Sequence, residues 1–358
     1  MRLRGVVFFA VLGTIFSSYS FLFAQTSANP MAALPVAANT ARLTPEQLIA
    51  NYKLNDLQFS ADGKRLAFVV SEPPKGKGRL RHIWVMDVTT RELRQFTNSA
   101  KNETSPRWSP DGKQIAFLSN RGENQQIYMI PSDGGEAQQL TTDEKIDKRD
   151  IESFAWSPDG KQIAYLAQEA KSDDEEKKDK DKEDARLVDK EDKRTHLWVL
   201  DVASKKSRLL VGGRWEFSSI QWLPPTTGEV ATRLLVVATD HPEVEQETNR
   251  IFLVAVADGT MQTLAAPQGP FEQVEASPDG KCIGWIGARL DGPQPMDLYG
   301  MDGLNAKPRN LTGNAVDRNF HQFAWGQGCE WIGLAEAGFH NIFVRAPARA
   351  RTIPVNYR

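Results

Sequence analysis

Three observations in the sequence predict an all-β protein, a β-propeller of four-stranded antiparallel blades. A turn-and-strand phrase recurs along the chain, a second strand-like phrase follows each copy, and both phrases are apolar on both faces. The first phrase reads "WSPDGKQIAFLS" from Trp108 and "WSPDGKQIAYLA" from Trp156, with related copies "FSADGKRLAFVVS" from Phe59 and "ASPDGKCIGWIG" from Ala276. The turn aspartates Asp62, Asp111, Asp159 and Asp279 are spaced by 49, 48 and 120 residues. The long gap holds a divergent copy, "IQWLPPTTGEVATRLLVVA" from Ile220, with Trp222 at the tryptophan position, plus an insertion. A sixth copy, "FAWGQGCEWIGLAE", puts Trp325 49 residues after Ala276 and has lost the aspartate. The companion phrase appears as "HIWVMDV", "QIYMIPS", "HLWVLDV", "RIFLVAV", "DLYGMDG" and "NIFVRAP".

Each element of the unit has a local cause. In "SPDG" the proline presets φ at the second turn position, the aspartate suits the third, and glycine takes the left-handed position that follows. Such a turn joins two antiparallel strands. In "KQIAFLS", Ile115 and Phe117 face one way and Ala116 and Leu118 the other. With both faces apolar, the strand is covered on both sides. The polar turn "NRGENQQ", a strand "IYMIP" and a strand "EAQQLT" follow, and the residues before Trp108 supply one more strand. One unit is thus a four-stranded meander. A blade with two apolar faces cannot bury them alone, so blades stack around an axis and the same phrase solves the same packing problem each time. On this reading the repeat tryptophans and the Phe and Tyr residues are core between blades. Six repeats imply either a closed six-blade ring or an incomplete ring of seven or eight.

The chain has 358 residues, 40% hydrophobic and 25% charged, which is ordinary globular composition. A net charge of -2 gives no global field for nucleic acid or an anionic membrane. Residues 1–28 have Arg2 and Arg4, an apolar run from Val6 to Phe16, then small and polar residues, the layout of a secretory signal cleaved after Ala24 or Ala28. The alternative is an uncleaved membrane anchor; the absence of a nearby cysteine argues against a lipoprotein. The expected location is exported, periplasmic or secreted. Residues 29–42 read as a disordered tether. The propeller spans 43–358, opening with a short helix capped by Thr44, with Pro45 and Gln47 in its first turn. Within it, residues 169–194, "EAKSDDEEKKDKDKEDARLVDKEDKR", interrupt the second and third strands of the third blade. Dense mixed charge without apolar content makes this a solvated insertion. Its interleaved lysines and missing "DxDxDG" spacing argue against a calcium loop. Glu175 and Glu176, a formal amine-binding pair, are solvated members of the same run.

Catalytic, cofactor-binding and metal-binding residues are each expected to be none. There is no "GxSxG", no phosphate loop and no "GxGxxG" in the sequence. His82, His196, His241, His321 and His340 are far apart and none has metal-ligand spacing. His82, His196 and His340 start recurring strands and fall at blade edges; His241, in "TDHPEVEQ", is the one expected in an exposed loop. Cys282 and Cys329 lie in neighbouring blades at different repeat positions, Cys329 falling where Gly280 would be. An oxidising compartment permits a bond between them; the alternative is two small buried thiols.

The stretches "LTPEQL…DLQFSADGKRLAFVVSEP", "SPRWSPDGKQIAFLSNRGENQQIYMIPSDGGEAQQLT" and "DKRTHLWVLDVASKKSRLL" resemble the N-terminal propeller of the prolyl oligopeptidase (S9) serine peptidase family, in its dipeptidyl-peptidase and acylaminoacyl-peptidase branch. The resemblance runs over about Leu43 to Arg358. The "WSPDGK" unit is also similar to the WD40-like propeller of periplasmic TolB proteins. In the peptidase family an α/β-hydrolase domain carrying the triad follows a propeller of seven or eight blades; no such domain follows in the 358 residues, and no catalytic residue carries over. The resemblance implies the non-catalytic propeller portion of an exported peptidase, gating substrates and holding peptide, with the hydrolase domain missing or separate. The alternative is a stand-alone TolB-like propeller. In both, the expected partner is a peptide or protein at the propeller channel. No cofactor and no nucleic acid is expected, and a membrane only if the signal segment stays uncleaved.

Overall fold

The computed structural model describes residues 51–347, apart from 75–77, 144–145, 147, 171–192, 226–231, 243–247, 291–294, 314–317 and 338–339. The signal segment 1–28, the tether 29–42, the helix expected after Thr44 and nearly all of the charged insertion lie outside the described residues.

Six antiparallel sheets follow one another in chain order. Blade one is β1 (Lys53–Phe59), β2 (Arg65–Ser71), β3 (Arg81–Asp87) and β4 (Leu93–Gln95). Blade two is β5 (Glu103–Trp108), β6 (Gln114–Ser119), β7 (Gln126–Pro131) and β8 (Gln138–Gln139). Blade three is β9 (Ile151–Trp156), β10 (Gln162–Gln168), β11 (Thr195–Asp201) and β12 (Lys206–Val211). Blade four is β13 (Glu216–Trp222), β14 (Arg233–Thr239), β15 (Arg250–Ala255) and β16 (Met261–Ala265). Blade five is β17 (Phe271–Ala276), β18 (Ile283–Gly287), β19 (Asp297–Met301) and β20 (Arg309–Asn310). Blade six has β21 (Phe320–Trp325), β22 (Glu330–Ala337) and β23 (His340–Pro347) among the described residues. All six companion phrases are third strands, and Trp222 does open the divergent fourth blade's first turn.

The turns form as their sequence requires. Gly63, Gly112, Gly160 and Gly280 have φ of 69°, 69°, 71° and 67°. In the third blade Ser157 Oγ donates to Asp159 Oδ1 at 2.6 Å and accepts the Gln162 N–H at 2.9 Å, while Asp159 Oδ1 accepts the Lys161 N–H at 3.0 Å. The same three bonds recur around Asp62, Asp111 and Asp279. At Asp111 the bond from Ser109 and then the Lys113 N–H hold the carboxyl below its ordinary value.

The core lies between blades. Ile115 and Phe117 pack with Ala67, Ile83 and Val85 of blade one, while Ala116 and Leu118 pack with Phe154, Ile163 and Tyr165 of blade three. Three further clusters join blades three to four, four to five and five to six. Inside blades, rings at matching positions of the second and third strands stack: Phe117 on Tyr128, Tyr165 on Trp198 and Trp285 on Tyr299. The face of blade one turned away from blade two is different. Leu66, Phe68 and Val70 cluster with residues of their own blade, and among the described residues no hydrophobic cluster joins them to blade six.

The cysteines form a disulfide, Cα to Cα 5.7 Å, that joins blade five to blade six. The bonded alternative therefore holds, and the buried-thiol one does not. Cys329 does occupy the place of Gly280, and it has the same left-handed backbone, with φ of 62°. Two chain positions with different repeat addresses reach each other because one blade's second strand begins beside the next blade's turn.

Candidate functional site: the channel mouth

The first strand of each blade lies nearest the axis, and successive first strands touch one another around it. Their tryptophans fasten this inner wall. Trp108 Nε1 donates to the Gln58 carbonyl, Trp156 Nε1 to that of Arg107, Trp222 Nε1 to that of Ala155 and Trp325 Nε1 to that of Glu275, at 3.0–3.3 Å. Each indole thus bonds the residue just before the tryptophan position of the preceding blade. Where blade five has Ala276 instead, its backbone N–H donates to Gln221 Oε1 at 2.8 Å. The tryptophans are inter-blade core, as the sequence implies, and they are also inter-blade donors, which apolar patterning alone does not reveal.

The inner strands are bulged. In blades one, two and five the register shifts between Asn55 and Gln58, Thr104 and Arg107, and Glu272 and Glu275. At these bulges Asp56, Ser105 and Gln273 adopt φ of 48°, 55° and 50°. A bulge re-aims the side chains that follow it. At blade two the redirected side chain is Arg107. Its Nη1 donates to Asp56 Oδ1 at 2.8 Å, to Asp56 Oδ2 at 3.0 Å and to the Pro106 carbonyl at 2.8 Å.

Between the ends of β1, β5, β9 and β13, beside the Ser-Pro-Asp-Gly turns, lies a cavity of about 470 Å³. Trp108, Trp156, Phe154 and Ile220 supply its apolar wall, and Arg107 is the one charged residue among the described residues that line it. Ser153 also lines the cavity, and its Oγ is buried with no hydrogen-bond partner among the described residues.

On β17, Glu275 has a carboxyl that burial pushes up to about 7, opposed by a hydrogen bond from Gln273. Gln273 is itself tied to blade six: its Nε2 donates to the Phe323 carbonyl at 2.6 Å and its Oε1 accepts the Phe323 N–H at 3.0 Å. At the other end of the inner strands, Glu103 is buried at the start of β5. His82 Nδ1 lies 3.0 Å from Glu103 Oε2, and Arg121 Nε donates to Oε1 at 3.0 Å. Burial raises the Glu103 carboxyl, but hydrogen bonds from Thr97, His82, Arg121 and Ser99 outweigh it and leave the pKa lowered. This cluster pins blade one to blade two.

The histidines stay apart. His82 and His196 are buried at strand starts, while His241 and His340 are exposed. Among the described residues no group of three or more His, Cys, Asp and Glu could hold a metal ion, and no helix is long and apolar enough to cross a membrane.

Residues 46–194 match the TolB beta propeller domain, PD40. The chain is a propeller of six blades, and within it residues 46–194 are similar to the PD40 repeats of TolB propellers. Relatives that it resembles in sequence over part of its length are peptidases. It is 37% identical over 101 residues to the uncharacterized peptidase YuxL of Bacillus subtilis, a match covering 28% of this chain and 15% of that one. It is 34% identical over 86 residues to dipeptidyl-peptidase 5 of Porphyromonas gingivalis, covering 24% of this chain and 13% of the relative. Among solved structures, an acylaminoacyl peptidase of Pyrococcus horikoshii has the same fold over 87% of this chain and 47% of its own, with a TM-score of 0.62 at 16% identity. TolB of Acinetobacter baumannii matches over 82% of this chain and 64% of its own, with a TM-score of 0.50 at 16% identity. The chain thus spans about half the length of the peptidase whose fold it shares.

Proposed function

We propose that this chain is the propeller portion of an exported serine peptidase of the prolyl oligopeptidase type, and that it admits and holds peptide at the channel mouth without catalysing cleavage itself. The supporting observation is the pairing of two likenesses: sequence relatives that are peptidases, and an acylaminoacyl peptidase fold match that covers 87% of this chain and 47% of that one. Catalysis in this reading belongs to an α/β-hydrolase domain, joined or separate. The disulfide between Cys282 and Cys329 supports an oxidising location, as does the signal-like layout of the first 28 residues.

The second reading is a stand-alone propeller similar to TolB, which the match over residues 46–194 favours. The DNA following codon 358 separates the two. An in-frame or frameshifted stretch encoding "GxSxGG" supports the peptidase, and an unrelated gene supports the binding propeller. Purified chain given aminoacyl and dipeptidyl chromogenic substrates is expected to release nothing; serine-dependent turnover would overturn both readings.

A further inference from the structure

The wall of the channel-mouth cavity combines one cation with several aromatic and aliphatic surfaces. We propose that this cavity binds peptides through a carboxylate, with Arg107 as the anion-holding group; this rests on the reading of the channel mouth as a peptide site and names its chemistry.

The argument begins with the guanidinium. Both Asp56 oxygens and the Pro106 carbonyl fall on a single nitrogen, Nη1. A guanidinium carries five N–H donors in a planar fork that matches a carboxylate. Nε and Nη2 of Arg107 make no hydrogen bond among the described residues, so the fork keeps donors for a second acceptor. Asp56 orients the group without using it up. Every other residue that lines the cavity is neutral, and Asp56, the counter-ion of Arg107, is not among the lining residues, so the one charged group the wall presents is a cation.

The remaining wall suits the rest of a short peptide. Trp108 and Trp156 are fixed by their indole bonds to the neighbouring strands, so they present rigid apolar surface at little entropic cost. A volume of about 470 Å³ lies in the range of roughly 300–1,000 Å³ typical of ligand pockets and fits two or three residues. The carboxylate has two sources in a peptide, the C-terminus and an acidic side chain, and both offer Arg107 the same oxygen pair.

Titration calorimetry on the purified chain with three acetylated tripeptides tests this: Ala-Ala-Phe with a free C-terminus, its C-terminal amide, and Ala-Asp-Phe amide. At least one carboxylate-bearing peptide is expected to bind about ten-fold or more tighter than the neutral Ala-Ala-Phe amide, the scale of one charge-assisted hydrogen bond. Which of the two binds better identifies the source. Arg107→Gln is expected to erase the preference. Asp56→Asn, which removes the competing anion, is expected to strengthen carboxylate binding, a gain that structural damage does not mimic. Binding that is equal for all three peptides and unmoved by both substitutions would overturn the role of Arg107 while leaving a peptide site. No binding of any of the three would overturn the peptide site and this assignment together.

Discussion

Glu275 is an acid whose burial favours its protonated form. Its carboxyl is pushed up to about 7 by burial, against which the Gln273 amide donates a hydrogen bond to it. A folded pKa above the unfolded value means that the native state binds the proton more tightly. Its contribution is therefore fully present below about 4.5 and is lost as pH rises from there to about 7. The loss amounts to at most about 3 kcal/mol. Glu275→Gln keeps the amide-compatible shape and removes the titration. The variant is expected to melt at a higher temperature than the parent at pH 8, and to match it near pH 4. Identical pH profiles for parent and variant would show that the carboxyl is solvated. No pattern in the sequence marks this residue. Glu275 stands one place before the repeat's first turn, where other blades have Gln58, Arg107, Ala155, Gln221 and Ala324, so nothing in the repeat reveals a carboxyl under strain. The turn residues are the opposite case. Ser157, Asp159 and Gly160 were legible because their bonds close within five residues. The Arg107–Asp56 pair, 51 positions apart, depends on two bulges that no local signal announces.

At the scale of elements, the repeat made strand identity and order readable, since every copy carries the same turn chemistry and the same two-sided apolar pattern. What the repeat could not show is how adjacent blades meet at single points, and the disulfide is one such point. The charged insertion offers the clearest test of how an element tolerates an interruption. The hairpin of β10 and β11 is paired up to Gln168 and Thr195, and beyond that pair the Glu169 N–H donates to the Arg194 carbonyl at 2.9 Å. The base of the hairpin is thus complete on either side of residues 171–192. Closure cost changes by only about 0.6 kcal/mol per doubling of loop length. Replacing 171–192 with a short Asn-Gly turn, of the type that suits tight hairpins, is expected to leave the thermal midpoint unchanged or slightly raised. Loss of cooperative melting on this replacement would mean that the insertion contributes packing to the blade.

The whole molecule is a row of blades in which each internal blade is covered twice. Blades two to five have a hydrophobic cluster on each face, whereas blades one and six share such a cluster with only one neighbour among the described residues. The difference is visible at matching positions: Ile115 and Phe117 of blade two are 0% exposed, while Leu66 and Phe68 of blade one retain 7%. On the corresponding outer face of blade six, Phe343 is 58% exposed. In stacked repeats, stability is close to a sum of each unit and its nearest-neighbour interfaces. Removing one interface lowers the local opening free energy of the terminal units. Native-state hydrogen exchange is therefore expected to be slowest in β6, β10, β14 and β18, and at least ten-fold faster in β2. In β22 the bond between Cys282 and Cys329 ties the blade to its covered neighbour, so its amides should fall between those two classes and move toward β2 when the disulfide is reduced. Equal protection in β2 and β6 would mean that the outer face of blade one is closed in solution, either by blade six completing the ring or by a contact of the same strength.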